Sequence, residues 1–134
     1  MMPVSVLEKL QNWLSTYPRW EACPANICLL PKGMEEISRQ EDILGNTLVG
    51  NRCYVNLLWE VEALSGEAEN AERLLKFIQW VQFQGASGAA PQFGDMPAQE
   101  RIRTEKAGYT PGTQMVTYTV TLVIDFMKLY KENA

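Results

Sequence analysis

Apolar and polar residues alternate almost without a break from Val116 to Phe126. Val116, Tyr118, Val120, Leu122, Ile124 and Phe126 fall on one side, and Thr117, Thr119, Thr121, Val123 and Asp125 on the other. Successive side chains of a strand point to opposite faces, so this run predicts a strand with one apolar and one Thr-rich face. On a helix the same six apolar residues would scatter around the axis. Extended, these residues span about 36 Å at ~3.3 Å each, well beyond the usual strand of roughly five or six residues. The alternation returns at 53–63. There Cys53, Val55, Leu57, Trp59, Val61 and Ala63 share one face, and Tyr54, Asn56, Leu58, Glu60 and Glu62 the other. The two runs are natural antiparallel neighbours, with one face buried and one solvated.

Two stretches carry helical spacing. Val6, Leu7, Leu10, Trp13, Leu14 and Tyr17 recur at three- and four-residue steps, with Pro3 suited to the first turn and Pro18 ending the helix. In the second helix Ala71, Leu74, Leu75, Ile78 and Val81 form a stripe widened by Phe77 and Trp80. Glu67 and Glu69 sit at its start, where the helix dipole favours negative charge, and Gly85 is expected to stop it. Residues 19–26, with Pro24, read as a connector. Ile27–Leu30 reads as a short strand ended by Pro31 and a Lys32-Gly33 turn. Met34–Ile43 is mostly polar and suits an edge or protruding strand closed by a Gly45-Asn46 turn. Residues 85–94 predict a flexible loop, 98–106 an exposed strand, and 108–112 a turn into the last strand. The expected fold class is therefore α+β. Two helices pack on one face of a mainly antiparallel sheet, and a β-hairpin projects from it, in a single domain over 1–134.

With 46% apolar and 21% charged residues, the chain has the composition of a folded domain. A net charge of −4 without a Lys/Arg block argues against direct sequence-specific binding of nucleic acid. Cys23, Cys28 and Cys53 give an odd count with no C-x-x-C pair, which fits a reducing, cytoplasmic setting better than a disulfide framework. No apolar run approaches the ~20 residues that cross a bilayer, and no signal-peptide core opens the chain, so no membrane partner is expected.

Candidate chemistry is sparse. The sequence contains no histidine, the commonest general base and zinc ligand. Phosphate-loop, nucleophile-elbow and dinucleotide fingerprints are missing as well. Glu60 and Glu62 share a strand face and could hold a metal or a proton, but they read better as a solvated face. Cys53 as a nucleophile would lack a histidine base. The expectation is a protein that is not an enzyme and has no cofactor and no metal. What remains is interaction chemistry. Four Trp, five Tyr and four Phe exceed what two small helices must bury, and a polar hairpin beside an open sheet edge is an interface feature.

Four segments carry a resemblance: ISRQEDILGNTLVGNRCYVNLLWEVEA (37–63), NAERLLKFIQWVQFQ (70–84), APQFGDMPAQERIRTEKAGY (90–109) and TQMVTYTVTLVIDF (113–126). In this order they resemble the minor capsid or tail-completion proteins of tailed phages and prophages of Gram-positive bacteria, and the likeness covers about 37–130. It implies a tail terminator-like virion protein, a small α+β subunit that forms a ring, typically a hexamer. Such a ring sits on the head-proximal end of the tail tube, stops polymerisation and joins the tail to the head connector. The implied partners are other copies of itself, the tail tube protein and the head–tail connector protein. The implied location is the virion tail, after assembly in the host cytoplasm. Exposure and polarity place the subunit and partner contacts at Ser38, Arg39 and Gln40 on the hairpin, and at Phe93, Asp95 and Met96 on the loop. A polar interface of this kind predicts a protein that associates weakly alone and forms its ring in the particle. The competing expectation is a small ligand- or peptide-binding module, with a pocket lined by Trp59 and Trp80.

Overall fold

The computed structural model describes residues 4–18, 26–88, 90–96, 99–110 and 114–131. Expectations at Pro3, over residues 19–25 (including Cys23 and Pro24) and over 111–113 lie outside these. The element order is α1 (Val4–Leu14), β1 (Asn26–Glu41), β2 (Thr47–Glu62), α2 (Glu67–Ser87), β3 (Arg101–Thr110) and β4 (Met115–Tyr130). The four strands form one sheet in the order β1-β2-β4-β3, every neighbouring pair antiparallel. The fold is α+β, as the patterning predicts.

The alternating faces fold as read. Cys53, Val55, Leu57, Trp59 and Val61 of β2 are buried, and so are Val116, Tyr118, Val120, Leu122, Ile124 and Phe126 of β4. Both helices close over this face. Val6, Leu10, Trp13, Leu14 and Tyr17 come from α1 and its final turn, and Leu74, Phe77 and Val81 from α2. Aromatic rings pack within each layer, and Trp59 of β2 meets Phe77 of α2 between them at 6.2 Å. Trp13 stacks on Trp80 at 4.9 Å, Tyr17 meets Phe77 edge-on at 5.2 Å, and Trp59 lies 4.9 Å from Tyr118. Offset and edge-on ring pairs of this kind each add about 0.5–1.5 kcal/mol beyond area burial. The aromatic residues that looked surplus in the sequence thus largely build the core.

Three boundaries and one buried face differ from the sequence expectation. First, β1 does not stop at Pro31. It runs on to Glu41 through an irregularity between Pro31 and Gly33, and a second lies between Glu36 and Ser38. An edge strand tolerates a proline because it needs no partner on its outer side, and a bulge absorbs the extra residue. Gly33, at φ 148°, takes the conformation that a side chain would resist. Second, α2 continues past Gly85 to Ser87, and Gly88 ends it at φ 77°, its N–H donating to the Gln84 carbonyl. Third, the buried face of α2 is rotated. Asn70 and Arg73 lie inside, whereas Leu75 is half exposed. The Asn70 side chain accepts from Leu64 N at 2.8 Å, and Arg73 donates to the Glu62 carbonyl at 3.1 Å, so these polar groups fasten the helix to the end of β2. Fourth, Gly108 belongs to β3, opposite Thr119, instead of opening a turn.

Candidate functional site

The core cluster ends at Cys53 on β2 and Phe126 on β4, but the strands continue. Residues 47–52 carry β2 on for roughly 20 Å at ~3.3 Å per residue, flanked by β1 and by residues 127–130 of β4. This extension is the outer part of the β1–β2 hairpin, and Val49 and Met127 are still buried within it. Asp42 organises its tip. One carboxylate oxygen accepts from Leu44 N and Asn46 N, both at 2.9 Å, and the other from Asn46 Nδ2 at 3.0 Å. The Asn46 side-chain hydrogen bond, first among these contacts, holds the Asp42 carboxyl below its ordinary range. The turn displays Ile43, fully exposed, and Leu44, three-quarters exposed.

The base of the hairpin is braced from the other side by residues 93–96. β3 pairs with β4 only up to Asp125, and beyond that the loop takes its place. Asp95 N donates to the Met127 carbonyl, and the Asp95 carboxylate accepts from Leu129 N, each at 2.8 Å. The Lys128 ammonium lies 3.8 Å from the same carboxylate. Glu100 fixes the loop from within, accepting from Phe93 N at 2.9 Å, Gly94 N at 3.1 Å and Met96 N at 3.2 Å.

The six residues expected to form contacts divide accordingly. Gln40 and Met96 come together, lining a shallow 230 Å³ cleft with Asp42, Leu48 and Leu129. Asp95 is exposed but engaged with Leu129 and Lys128. Ser38 is exposed on β1 and stands opposite Gly50, where an added Cβ would collide with its Oγ. Arg39 is exposed and paired with Glu36 at 2.7 Å, and that hydrogen bond lowers the Glu36 carboxyl and raises the guanidinium. Phe93 requires correction. It is 4% exposed and packs in the core cluster. A lone aromatic in a Gly/Pro-rich loop is the anchor that pins the loop to the body, and burying its ring contributes about 1.5–3 kcal/mol.

The face of the sheet away from the helices carries a feature that no single stretch of sequence displays. Arg101 of β3 stands opposite Asp125 of β4, Asp125 opposite Arg52 of β2, and Arg52 opposite Glu35 of β1. The row runs the full width of the sheet with charge alternating at every strand. At its centre the Arg52 guanidinium grips Asp125 through two parallel bonds of 2.7 and 3.0 Å, which raise the Arg52 pKa. At one end Glu35 accepts from the Tyr54 hydroxyl at 3.2 Å. Thr121 donates to the Asn56 side chain on the same face at 2.9 Å.

Two larger clefts open on the helix layer. One of 740 Å³ lies between the end of α2, the following loop and β3, lined by Gln82, Gly85, Phe93, Arg101 and Arg103 among others. The other, of 390 Å³, lies between α1 and β1 and is mostly apolar, with Leu7, Leu14, Ile27 and Leu29. Neither is lined by Trp59 or Trp80. Trp59 is sealed in the core and Trp80 is stacked on Trp13, so this pair does not form the pocket that the ligand-binding expectation calls for. Glu60 and Glu62 are exposed on the open face. Cys53 is buried, and desolvation pushes its thiol up to about 11, the opposite of what a nucleophile needs.

No protein-family model matches the chain, no curated protein matches its sequence, and no solved structure matches its fold.

Proposed function

We propose that this chain is a structural subunit of a tailed-phage or phage tail-like particle, of the tail-terminator kind suggested by its sequence. Copies form a ring at the head-proximal end of the tail tube, end tube growth and present a surface to the head connector. The observation that carries this reading is the three-stranded extension beyond the core. Val49 and Met127 are buried within the extension, but a globular domain gains nothing for its own stability from displaying Ile43 and Leu44 to water at its tip. A subunit that must reach a neighbour does gain from it. The outer strands β1 and β3 pair with no further strand among the described residues and supply further contact surface. A ring needs a heterologous contact whose rotation closes, and a subunit with different features at its two sides meets that requirement.

The test is genetic. Particles made without this protein are expected to carry tubes of uncontrolled length that fail to join heads, and supplying the protein in trans should restore both. Tubes of normal length joined to heads in its absence would overturn the reading.

A further inference from the structure

Head-to-tail growth of the sheet is written into its two edges. Four strands alternate in direction, so β1 and β3 run opposite ways. A second copy turned about an axis along the strands therefore brings its β1 antiparallel to β3 of the first. The same geometry would also allow β1 to pair with β1, or β3 with β3, about a two-fold axis. Charge separates these options. β3 carries Arg101, Arg103 and Lys106 against Glu105, a net +2. On β1 the stretch level with β3, residues 26–35, carries Glu35 against Lys32, while Glu36, Arg39 and Glu41 lie beyond it. Pairing the β3 edges sets their net positive charge against itself, whereas pairing β3 with β1 sets the Arg101 cation beside the Glu35 anion.

The register is marked as well. The row Arg101–Asp125–Arg52–Glu35 ends in a cation on one edge and an anion on the other, both exposed. A second copy at the same height puts its Glu35 beside Arg101 and carries the alternation across the junction. At that height the interruptions of the two edges lie next to each other, on either side of the level shared by Thr104 and Pro31. β3 is irregular between Thr104 and Ala107, and β1 between Pro31 and Gly33. Through β4 and β2, Thr104 is level with Pro31, and Ala107 with Leu29. Two short ladders result, Arg101–Arg103 against Gly33–Glu35 and Ala107–Tyr109 against Ile27–Leu29, one on each side of the adjacent breaks. On the helix side the half-buried Ile27 lies level with Tyr109. Pro31 and the bulges guard each edge against indiscriminate pairing.

We infer that the subunit interface is an antiparallel junction between β3 of one copy and β1 of the next, in the register that sets Arg101 against Glu35 of the second copy. The inference rests on the ring reading above and names the contact that builds it. The 390 Å³ cleft beside β1 and the 740 Å³ cleft beside β3 then flank the junction on its helix side.

Disulfide trapping tests it. In the full chain with Cys23→Ser and Cys28→Ser, one preparation carries Glu35→Cys and a second, size-tagged one carries Arg101→Cys. Mixed and mildly oxidised, the two should give covalent heterodimers at least tenfold above the homodimers that either forms alone. Homodimers formed as readily as heterodimers, or no covalent product from correctly folded protein, would overturn the inference. A charge exchange gives a second readout by sedimentation. Arg101→Glu or Glu35→Arg alone should reduce self-association, and the two together should restore it; equal behaviour of all three overturns the register. A ring in particles without heterodimer trapping would sink this interface and leave the ring standing. Heterodimers from a protein that forms no ring would do the reverse.

Discussion

Replacing Gly94 with alanine should detach the loop that braces the hairpin. A Cβ built at Gly94 would collide with the Met127 carbonyl oxygen and lie 3.1 Å from its carbonyl carbon. These are backbone atoms of a strand paired on its other side to β2, so they cannot turn away as a side chain would. Two responses remain. If the loop stays, the strain is that of an overpacked site, about 1–3 kcal/mol. If it lifts, it gives up the bonds from Asp95 N to Met127 and from Leu129 N to Asp95, about 0.5–1.5 kcal/mol each. Both routes arrive near 2 kcal/mol, or roughly 5–10 °C in melting temperature for a domain of this size. Urea and thermal unfolding followed by circular dichroism measure the loss. Hydrogen exchange locates it, with faster exchange expected at Asp95 and Leu129. Gly88→Ala is the contrast, because it strains a left-handed φ with no atom within 4 Å and should leave those two amides protected. Unchanged stability of Gly94→Ala, or unchanged exchange at both amides, would refute the reasoning.

Other outcomes follow from the same contacts. Tyr118→Phe removes a buried hydroxyl that donates to the Asn70 carbonyl at 2.8 Å, and should cost about 1–3 kcal/mol in urea unfolding. In the native protein an alkylating reagent should modify exposed Cys28 and spare buried Cys53 until unfolding, as peptide mapping would show. The raised Cys53 pKa contributes stability that is fully present below about 9, and denaturation midpoints should fall as pH rises from about 9 to 11. Changing Ile43 and Leu44 to serine should alter stability by less than about 0.5 kcal/mol, since both side chains already face water. The same change should abolish head–tail joining in a complementation assay.

The sheet was legible because its signal is local. Period two in β2 and β4 named the buried face residue by residue. The helices were legible for the same reason, but the boundary of α2 was not. Gly85 lies 3.2 Å, at its would-be Cβ, from the Ile102 carbonyl, so it serves the packing of β3 against the helix and not helix termination. Leu75 appeared to be core because periodicity cannot see that Asn70 and Arg73 have carbonyl and amide partners at the end of β2. Pro31 and Gly108 read as breaks, and edge position absorbed both. Of the expected contact residues, Phe93 was the least legible, since a loop aromatic looks alike whether it anchors inward or reaches outward. The charged row across the sheet was invisible for a different reason. Its members are far apart in the chain, and only the register of three strand pairings sets them side by side.

The central claim is that this chain is a ring-forming terminator subunit, and locating it in intact particles tests that most directly. Cryo-electron microscopy of particles carrying a tagged copy should show a closed ring of several tagged subunits at the junction of tube and head. Tag density along the tube, inside the head, or missing from purified particles would contradict it.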